Sequence, residues 1–298
     1  MLLASRAPST TKLYEAAYSA YSAFMSELDI PPVPASPIVV LCYLQSLRQR
    51  GLAAGSIATA LYAISWFHKI AGEPSPADDF LCKSFLEGVR RSAPAAECRT
   101  VPATLEMIQA LKIAATTSQR LIEFRAFVMA VFCFAGALRF SECQGLQFKH
   151  VRLTDSGLEL FLAHSKTDQH KKGQVVELSA TGSNCCPRAN FTEYSTLLAP
   201  GKEVPDAFVF ANLSNAKPVS KDNTIRTLRD MLKRQGVPNA QRITLHSFRI
   251  GCATRLIAHN VDSVDIRQLG RWKSNAAFDR YNRNTPGHKQ AVVQALGL

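Results

Sequence analysis

The sequence predicts a mainly α-helical protein of two domains, with a small β-hairpin in the second. With 298 residues, 47% of them hydrophobic, the chain exceeds the roughly 250 residues that one core usually serves. Apolar residues recur at helical spacing through the first ninety residues, and the period changes later in two short segments, G-L-E-L-F-L-A-H and G-Q-V-V-E-L. We therefore expect a helical domain over 1–93, a linker over 94–103 and a second domain over 104–298.

Capping and breaking residues divide the first domain into helices. An apolar stripe from Tyr14 to Leu28 after an S-T-T cap predicts the first helix. The other three are a helix capped by Ser36, with Pro37 in its first turn, ending near Gly51; a helix capped by Ser56 that runs to Gly72; and a helix from about Asp78 to Arg91. The prolines and small residues of S-A-P-A-A-E-C-R-T-V-P-A then predict an extended linker.

Two aromatic features of this domain have alternative interpretations. The tyrosines of the first helix could stack on bases, although their helical spacing is more typical of core packing. The third helix carries Trp66, His68 and Lys69 near its end. These could set the helix against a nucleic-acid backbone, or the helix could be an ordinary buried one.

The charge indicates an acidic partner. Lysine and arginine outnumber aspartate and glutamate by 35 to 23, which gives a net charge of +12. These basic residues are dispersed, so the basic surface is expected on folded domains, and nucleic acid is the partner that fits best. The alternative is that the charge serves solubility alone.

Several other classes of protein do not fit. The longest apolar run, from Ala126 to Leu138, is shorter than the roughly 18 residues of a membrane span and predicts a buried helix. No secretory signal is apparent, so we expect the protein inside the cell. The eight cysteines form no C-x-x-C pair, and adjacent Cys185 and Cys186 are interpreted as reduced loop or helix-start residues. We therefore expect no zinc site, no disulfide framework and no metal or other cofactor.

The second domain combines helices with the hairpin. Helices are predicted from Thr104 to Ala115 and from Gln119 to Leu138, and the hairpin strands are joined by S-K-T-D-Q-H-K-K. Helices resume at about Asp222 and continue through T-L-H-S-F-R-I-G, V-D-S-V-D-I-R-Q-L-G-R-W and a final tyrosine helix.

Side chains suited to binding a phosphodiester are spread along this domain. His246 and Arg249 stand three residues apart, so on one helix they share a face and can converge on an anion. Arg139 could bring a second planar guanidinium to that anion. Lys166 in the hairpin turn could protonate a leaving oxygen, and Tyr281 would be the attacking group.

The order of these motifs is more specific than any one of them. R-F-S-E, a hairpin with K-T, H-S-F-R-I-G, L-G-R-W and a tyrosine nine residues further on resemble the tyrosine recombinase (phage integrase) family, which contains Cre and lambda integrase. The resemblance is close over about residues 101–285 and loose over the N-terminal domain. It implies a SAM-like core-binding domain and an α+β catalytic domain that form a C-shaped DNA clamp.

The resemblance assigns a role to each matching residue. Arg139 and Arg249 match the phosphate-binding arginines, and Glu142 matches the acidic residue that supports the first of them. Trp272 stands where most bacterial members have histidine, as in Cre, and its indole N–H can still donate to the phosphate. Three further matches complete the set: His246, a phosphate ligand that can accept the tyrosine proton; Lys166, the general acid; and Tyr281, the nucleophile. Six further residues are predicted DNA contacts: Lys69, Lys149, Lys171, Lys172, Arg242 and Arg271.

The implied activity is cutting and rejoining of double-stranded DNA through a 3'-phosphotyrosyl link, without ATP or metal. The motifs H-S-F-R-I-G and L-G-R-W-x-S most resemble those of recombinases from eukaryotic mobile elements, the DIRS and Ngaro retrotransposons and Cryptons. A protein from such an element would act in the nucleus; otherwise we expect it in the cytoplasm or nucleoid. The family resemblance also implies a dimer to tetramer on DNA. The apolar tail 286–298 could dock into a neighbouring subunit or onto its own domain.

Two other functions remain open from the sequence. A type IB topoisomerase uses a similar phosphate-binding site and tyrosine, but would relax any supercoiled duplex as a monomer. A domesticated DNA-binding protein would keep the fold without cutting, although every active-site position is filled. Formation of a covalent adduct with DNA separates these cases.

Overall fold

The computed structural model describes residues 5–94, 100–163, 165, 172–198 and 201–279. The chain divides into two compact units, Met1–Glu97 and Cys98–Leu298. Most of the described residues are helical, and one three-stranded antiparallel sheet lies in the second unit. The predicted fold class is therefore confirmed. Within the described ranges, no helix combines the length and the apolar character needed to cross a bilayer.

The first unit packs four helices around one core. They are α1 (Pro8–Ser26), α2 (Pro37–Gln49), α3 (Ala54–Ile70) and α4 (Phe80–Ser92). Each helix contributes an apolar face, and fully buried side chains include Tyr21, Leu44, Ile57 and Cys82. This burial stabilises the four-helix arrangement.

The start of α2 is as predicted, whereas two other caps are wrong. Ser36 Oγ accepts a hydrogen bond from the Val39 N–H, and Pro37 opens the helix. However, α3 already begins at Ala54, which places Ser56 inside the first turn. The S-T-T segment likewise lies within α1, because Pro8, with its fixed φ, starts that helix.

The aromatic residues of the first unit mainly pack against each other. Tyr21 is fully buried, and the Tyr18 ring stacks on Phe67 with ring centres 3.9 Å apart. Trp66 and His68 are buried as well. These contacts support core packing as the role of the tyrosine stripe and of Trp66 and His68 at the end of α3.

The second unit contains a three-stranded sheet and further helices. Its elements in chain order are α5 (Leu105–Ser118), α6 (Leu121–Ala135), α7 (Phe140–Gln144), β1 (Val151–Thr154), β2 (Gly157–Leu162), β3 (Gln174–Ser179), α8 (Pro187–Thr196), α9 (Lys221–Arg234), α10 (Leu245–Ala258), α11 (Ser263–Gly270) and α12 (Asn275–Asp279). Helix α6 is buried along most of its length, as its apolar sequence predicts.

The predicted hairpin is confirmed as β2 and β3, which pair antiparallel with Leu160 opposite Val176. Three elements were not predicted. Helix α7 covers Phe140–Gln144, strand β1 adds a third, four-residue strand next to β2, and α8 forms a helix before the predicted restart at Asp222. Cys186 is the N-cap residue of α8, in agreement with the helix-start interpretation.

Helix α10 packs closely against the beginning of the second unit. Ala103, at the end of the predicted linker, is 3% exposed, and its N–H donates to the Ser247 carbonyl at 2.9 Å. Gly251 faces the Ala103 backbone so closely that a Cβ would overlap it. Cys252 and Ala253 of α10 also belong to a small apolar cluster with Ala137, Ile266, Trp272 and Phe278.

Candidate active site

Arg139 is held where α6 turns into α7. The chain leaves α6 through Gly136 and Ala137, whose φ is 46°, and Arg139 becomes the N-cap residue of α7. Glu142, in the first turn, accepts from the Arg139 N–H at 2.8 Å and from its Nη1 at 2.6 Å. The Arg139 side chain keeps 19% of its surface exposed, against 1% for Glu142. R-F-S-E therefore forms a rigid unit that directs one guanidinium toward solvent.

The Glu142 carboxylate is the centre of a larger network. Ser165 Oγ donates to Oε1 at 2.8 Å, and Arg139 Nη1 donates to Ser165 Oγ at 3.2 Å. On the other side, Arg271 Nη2 donates to Oε2 at 3.0 Å. Burial favours the neutral acid, but Arg271, Arg139 and the Ser165 hydroxyl outweigh it and hold the pKa of Glu142 below its ordinary value. The carboxylate is therefore charged at neutral pH.

Arg271 lies inside the protein, which argues against its prediction as a DNA contact. Its side chain is 4% exposed, and its backbone is left-handed, with φ 56° and ψ 41°, at the end of α11. Besides Glu142, the guanidinium donates to the carbonyls of Leu269 at 2.8 Å, Ala137 at 3.0 Å and Gly136 at 3.2 Å. Burial lowers the pKa of Arg271, and the Glu142 charge acts in the opposite direction.

Arg249 comes from α10 and is fully buried. Thr244 and Ser247 cap the start of α10, so T-L-H-S-F-R-I-G does open a helix. The Arg249 guanidinium donates to the carbonyls of Ala137 and Gly270. His246 lies one turn earlier on the same helix and is exposed. The predicted placement of both residues on one helix is confirmed.

Trp272 completes this side of the site. The centre of its indole ring is 4.4 Å from the guanidinium carbon of Arg249, within cation–π range. The ring also lies against Gly270, where any Cβ would overlap it. The glycine of L-G-R-W thus provides the space in which the tryptophan packs.

The carbonyl of Ala137 connects the two halves of the cluster, because both Arg249 and Arg271 donate to it. The cluster contains three guanidinium groups and one carboxylate, of which Arg139 and Arg271 contact Glu142, so it carries a net charge of about +2. A pocket of about 430 Å³ adjoins it, with Gln174, Gln268, Arg271 and Trp272 in its wall. This arrangement is suited to binding an anion.

The remaining predicted site residues either lie outside the described residues or are found at the surface. Lys166, Lys171 and Tyr281 lie outside the described residues. Lys172 and Arg242 are exposed. Lys69 pairs with Asp78 at 3.3 Å and Lys149 with Asp206 at 2.5 Å; both lysines remain at the surface.

Two contributors to the cluster were not anticipated. Ser165 precedes the hairpin lysine, and nothing in a lone serine indicates a carboxylate partner. For Arg271, the only sequence signal was its position between Gly270 and Trp272, which does not reveal burial.

Comparison with known proteins places the chain among DNA recombinases. The model of the phage integrase family matches residues 103–288. The chain is 25% identical over 290 residues to an integrase/recombinase XerD homologue of Selenomonas ruminantium, covering 93% of this chain and 82% of the relative. It is 22% identical over 283 residues to the Cre recombinase of Escherichia phage P1, covering 88% and 80%.

Solved structures show the same fold. The XerH recombinase bound to a palindromic difH substrate aligns with a TM-score of 0.70 at 15% identity, over 97% of this chain and 79% of that one. A lambda integrase dimer bound to a COC' core site aligns with a TM-score of 0.63 at 15% identity, over 94% and 73%.

Proposed function

The chain belongs to the phage integrase family and is a tyrosine-type site-specific recombinase, and we propose that its buried arginine cluster binds the scissile phosphate that Tyr281 attacks. The observation that carries the proposal is the joint anchoring of Arg139 and Arg249. Arg139 is fixed by Glu142, and Arg249 is fixed by the Ala137 carbonyl, which Arg271 ties to the same Glu142.

The proposed phosphate site uses four side chains. Arg139 is oriented by Glu142 and keeps part of its side chain exposed, so it can reach a ligand at the surface without rearrangement. Arg249, packed on Trp272, supplies the second guanidinium, and the backbone carbonyls that it now contacts would compete with the phosphate for its N–H groups. His246 on the same helix and the Trp272 indole N–H complete the set of donors. Such preorganised donors stabilise the added charge of a pentacoordinate phosphorane.

The proposed reaction balances without an external energy source. Tyr281 Oη forms a bond to phosphorus as the bond to the 5'-oxygen breaks, and His246 accepts the tyrosine proton while Lys166 donates a proton to the leaving oxygen. A 5'-hydroxyl later reverses the step and joins the strands. The phosphodiester energy is retained in the 3'-phosphotyrosyl bond, so strand joining requires no ATP. The roles of Tyr281 and Lys166 rest on their positions in the sequence motifs.

We propose double-stranded DNA as the partner and a dimer to tetramer as the active assembly. The net charge of +12 supports a polyanionic ligand, and structural neighbours include a recombinase bound to its DNA substrate and an integrase dimer bound to a core site. If the tail 286–298 exchanges between subunits, its deletion leaves binding to one half-site intact and abolishes cooperative binding to two. Unchanged cooperativity would exclude this role of the tail.

We further propose that a mobile element encodes the chain. The L-G-R-W-x-S motif supports this proposal, and a transposon integrase is among the structural neighbours. The protein would then act on the genome of its host, in the nucleus for a eukaryotic element and in the cytoplasm or nucleoid otherwise.

Covalent trapping tests the proposed chemistry. The wild type and Tyr281→Phe would be incubated with nicked suicide duplexes taken from the DNA that flanks the coding region, and with sites selected from random duplexes by binding to Tyr281→Phe. A denaturant-resistant, protease-sensitive adduct with the wild type only is the expected result. An adduct on arbitrary supercoiled DNA would instead indicate a topoisomerase. Selective binding without any adduct would indicate a DNA-binding protein that no longer cuts.

A further inference from the structure

The buried guanidinium of Arg271 shares its carboxylate partner with Arg139. Both oxygens of Glu142 are occupied: Oε1 by Arg139 Nη1 and the Ser165 hydroxyl, Oε2 by the Arg139 N–H and Arg271 Nη2. The two arginines differ in exposure, because the Arg139 side chain is 19% exposed and that of Arg271 is 4% exposed. Of these two arginines, Arg139 therefore presents more of its side chain to a ligand at the surface.

This sharing changes the charge that Arg139 presents. If Glu142 were paired with Arg139 alone, its negative charge would largely neutralise the positive charge of that arginine. With Arg271 as a second cation on the same carboxylate, the trio of Arg139, Glu142 and Arg271 retains a net charge of about +1. The inner arginine thereby keeps the outer one attractive to a phosphate.

Arg271 also fixes the relative position of two segments that carry the site. It follows α11 directly, yet it bonds to the Gly136 and Ala137 carbonyls and to Glu142, all in the stretch that presents Arg139. The Ala137 carbonyl receives Arg249 as well. A shift of Arg271 would therefore change the positions of both arginines of the proposed phosphate site, Arg139 and Arg249.

We infer that Arg271 is a positioning residue for strand cleavage: from the interior, through Glu142 and the Ala137 carbonyl, it sets the charge and the orientation of Arg139 and Arg249 without touching DNA. This inference rests on the proposed function. It also explains why L-G-R-W holds an arginine at a left-handed backbone position, which a glycine would adopt more easily.

The test separates chemistry from binding. Single-turnover adduct formation would be measured over a range of DNA concentrations for the wild type, Arg271→Gln, Arg271→Lys and Arg255→Gln. Arg255 is an exposed arginine on α10 and serves as the charge-matched control. Arg271→Gln is expected to lower the maximal rate by roughly 10- to 100-fold, less than loss of a direct donor, with the half-saturating DNA concentration within about 3-fold of the wild type. Arg271→Lys restores the charge and should recover part of the rate.

A double-mutant cycle tests the route through Glu142. If Arg271 acts through that carboxylate, Arg271→Gln should cost much less rate in a Glu142→Gln background than in the wild type. Additive losses would overturn the inference. So would a wild-type rate for Arg271→Gln, or a loss confined to DNA affinity, which would indicate a direct contact.

Folding is checked by thermal melting of each variant. If Arg271→Gln does not fold, Arg271→Lys decides: a lowered maximal rate at unchanged half-saturation supports the inference, and a wild-type rate overturns it. A wild type that forms no adduct on any selected DNA would refute the proposed function, and the role of Arg271 with it. A normal wild-type adduct alongside an unaffected Arg271→Gln would refute the role of Arg271 alone.

Discussion

The guanidinium carbon of Arg249 lies 4.4 Å from the centre of the Trp272 indole ring. The arginine is fully buried and the tryptophan is 9% exposed. A face-on cation is stabilised by the aromatic quadrupole, and the effect is larger when water is excluded. Trp272 therefore has two separable contributions, one from its ring face and one from its indole N–H.

Replacement of Trp272 should separate these contributions. Trp272→Phe keeps an aromatic face for Arg249 and loses the donor, so we expect a cleavage rate about 10-fold lower with little loss of stability. Trp272→Ala removes both and leaves a cavity beside Gly270, so we expect a rate at least 100-fold lower and a cost of about 3 kcal/mol in the free energy of unfolding. Adduct formation at saturating DNA and denaturant unfolding measure the two effects. Trp66→Phe, at the other tryptophan of the chain, is the control, and equal rates for Trp272→Phe and Trp272→Ala would contradict a role for the ring face.

Removal of the Arg139 side chain should suppress cleavage and spare binding. Arg139→Ala deletes one donor to the proposed transition state, so we expect adduct formation to fall by about 100-fold or more. DNA affinity should change by less than about 3-fold, because many phosphate contacts share the binding energy. Gel-shift titration and covalent trapping provide the two readings. Arg255→Ala, at an exposed position on α10, should leave both unchanged, and an equal loss of binding and cleavage in Arg139→Ala would count against the assignment.

Glu142 should make the free energy of unfolding depend on pH below about 4.5, the ordinary pKa of a glutamate. Its pKa is lower in the folded state than in the unfolded chain, so its contribution is complete above about pH 4.5, the ordinary value, and is lost as the pH falls through the folded pKa. Glu142→Gln should be less stable by about 3 kcal/mol at pH 7, because Arg271 loses its buried partner.

Urea unfolding from pH 7 to pH 3 measures this effect. The difference between the wild type and Glu142→Gln should narrow as the pH falls below about 4.5. Glu177→Gln, on the exposed side of β3, should follow the wild type throughout. A constant difference over the whole range would show that the ionised carboxylate is not the source of the stability.

His68 should contribute to the stability of the first unit. Its ring is fully buried; Nε2 accepts from the Ala35 N–H at 3.0 Å, and Nδ1 faces the Ile64 carbonyl at 2.8 Å. His68→Leu keeps the volume but leaves a buried N–H without its acceptor, so we expect a loss of about 2 kcal/mol. Chemical denaturation measures it, with the exposed His259→Leu as the control. Equal stabilities of the two variants would show that the buried hydrogen bonds contribute little.

The sequence predicted much of what periodicity determines, but only one of the three helix caps assigned in the first unit. The buried helix α6, the β2–β3 hairpin and the Ser36 cap follow from patterns that neighbouring residues enforce. Strand β1 was missed because V-R-L-T has only four residues, too few for its alternation to be distinctive. Helix α8 was missed because P-R-A-N-F-T-E-Y-S-T is too polar for an obvious apolar stripe.

The candidate site was predictable to the extent that its groups lie in recognisable motifs. The pairing of Arg139 with Glu142 was implied by the resemblance of R-F-S-E to the family motif, and the structure places both residues at the start of α7. The link from Glu142 to Arg271 spans 129 positions, and no local pattern encodes it. Only the packing of α11 against the α6–α7 turn brings these two charges together.

The close seating of Gly251 on the Ala103 backbone has a practical consequence for separating the two units. A catalytic fragment that starts at residue 104 would lack the peptide group that α10 rests on, together with the hydrogen bond from Ala103 to Ser247. A fragment that starts at or before residue 98, where the second compact unit begins, keeps that support beneath the helix that carries His246 and Arg249. The position of the cut thus determines whether the isolated second unit keeps the support of α10 and, with it, the geometry of the proposed phosphate site.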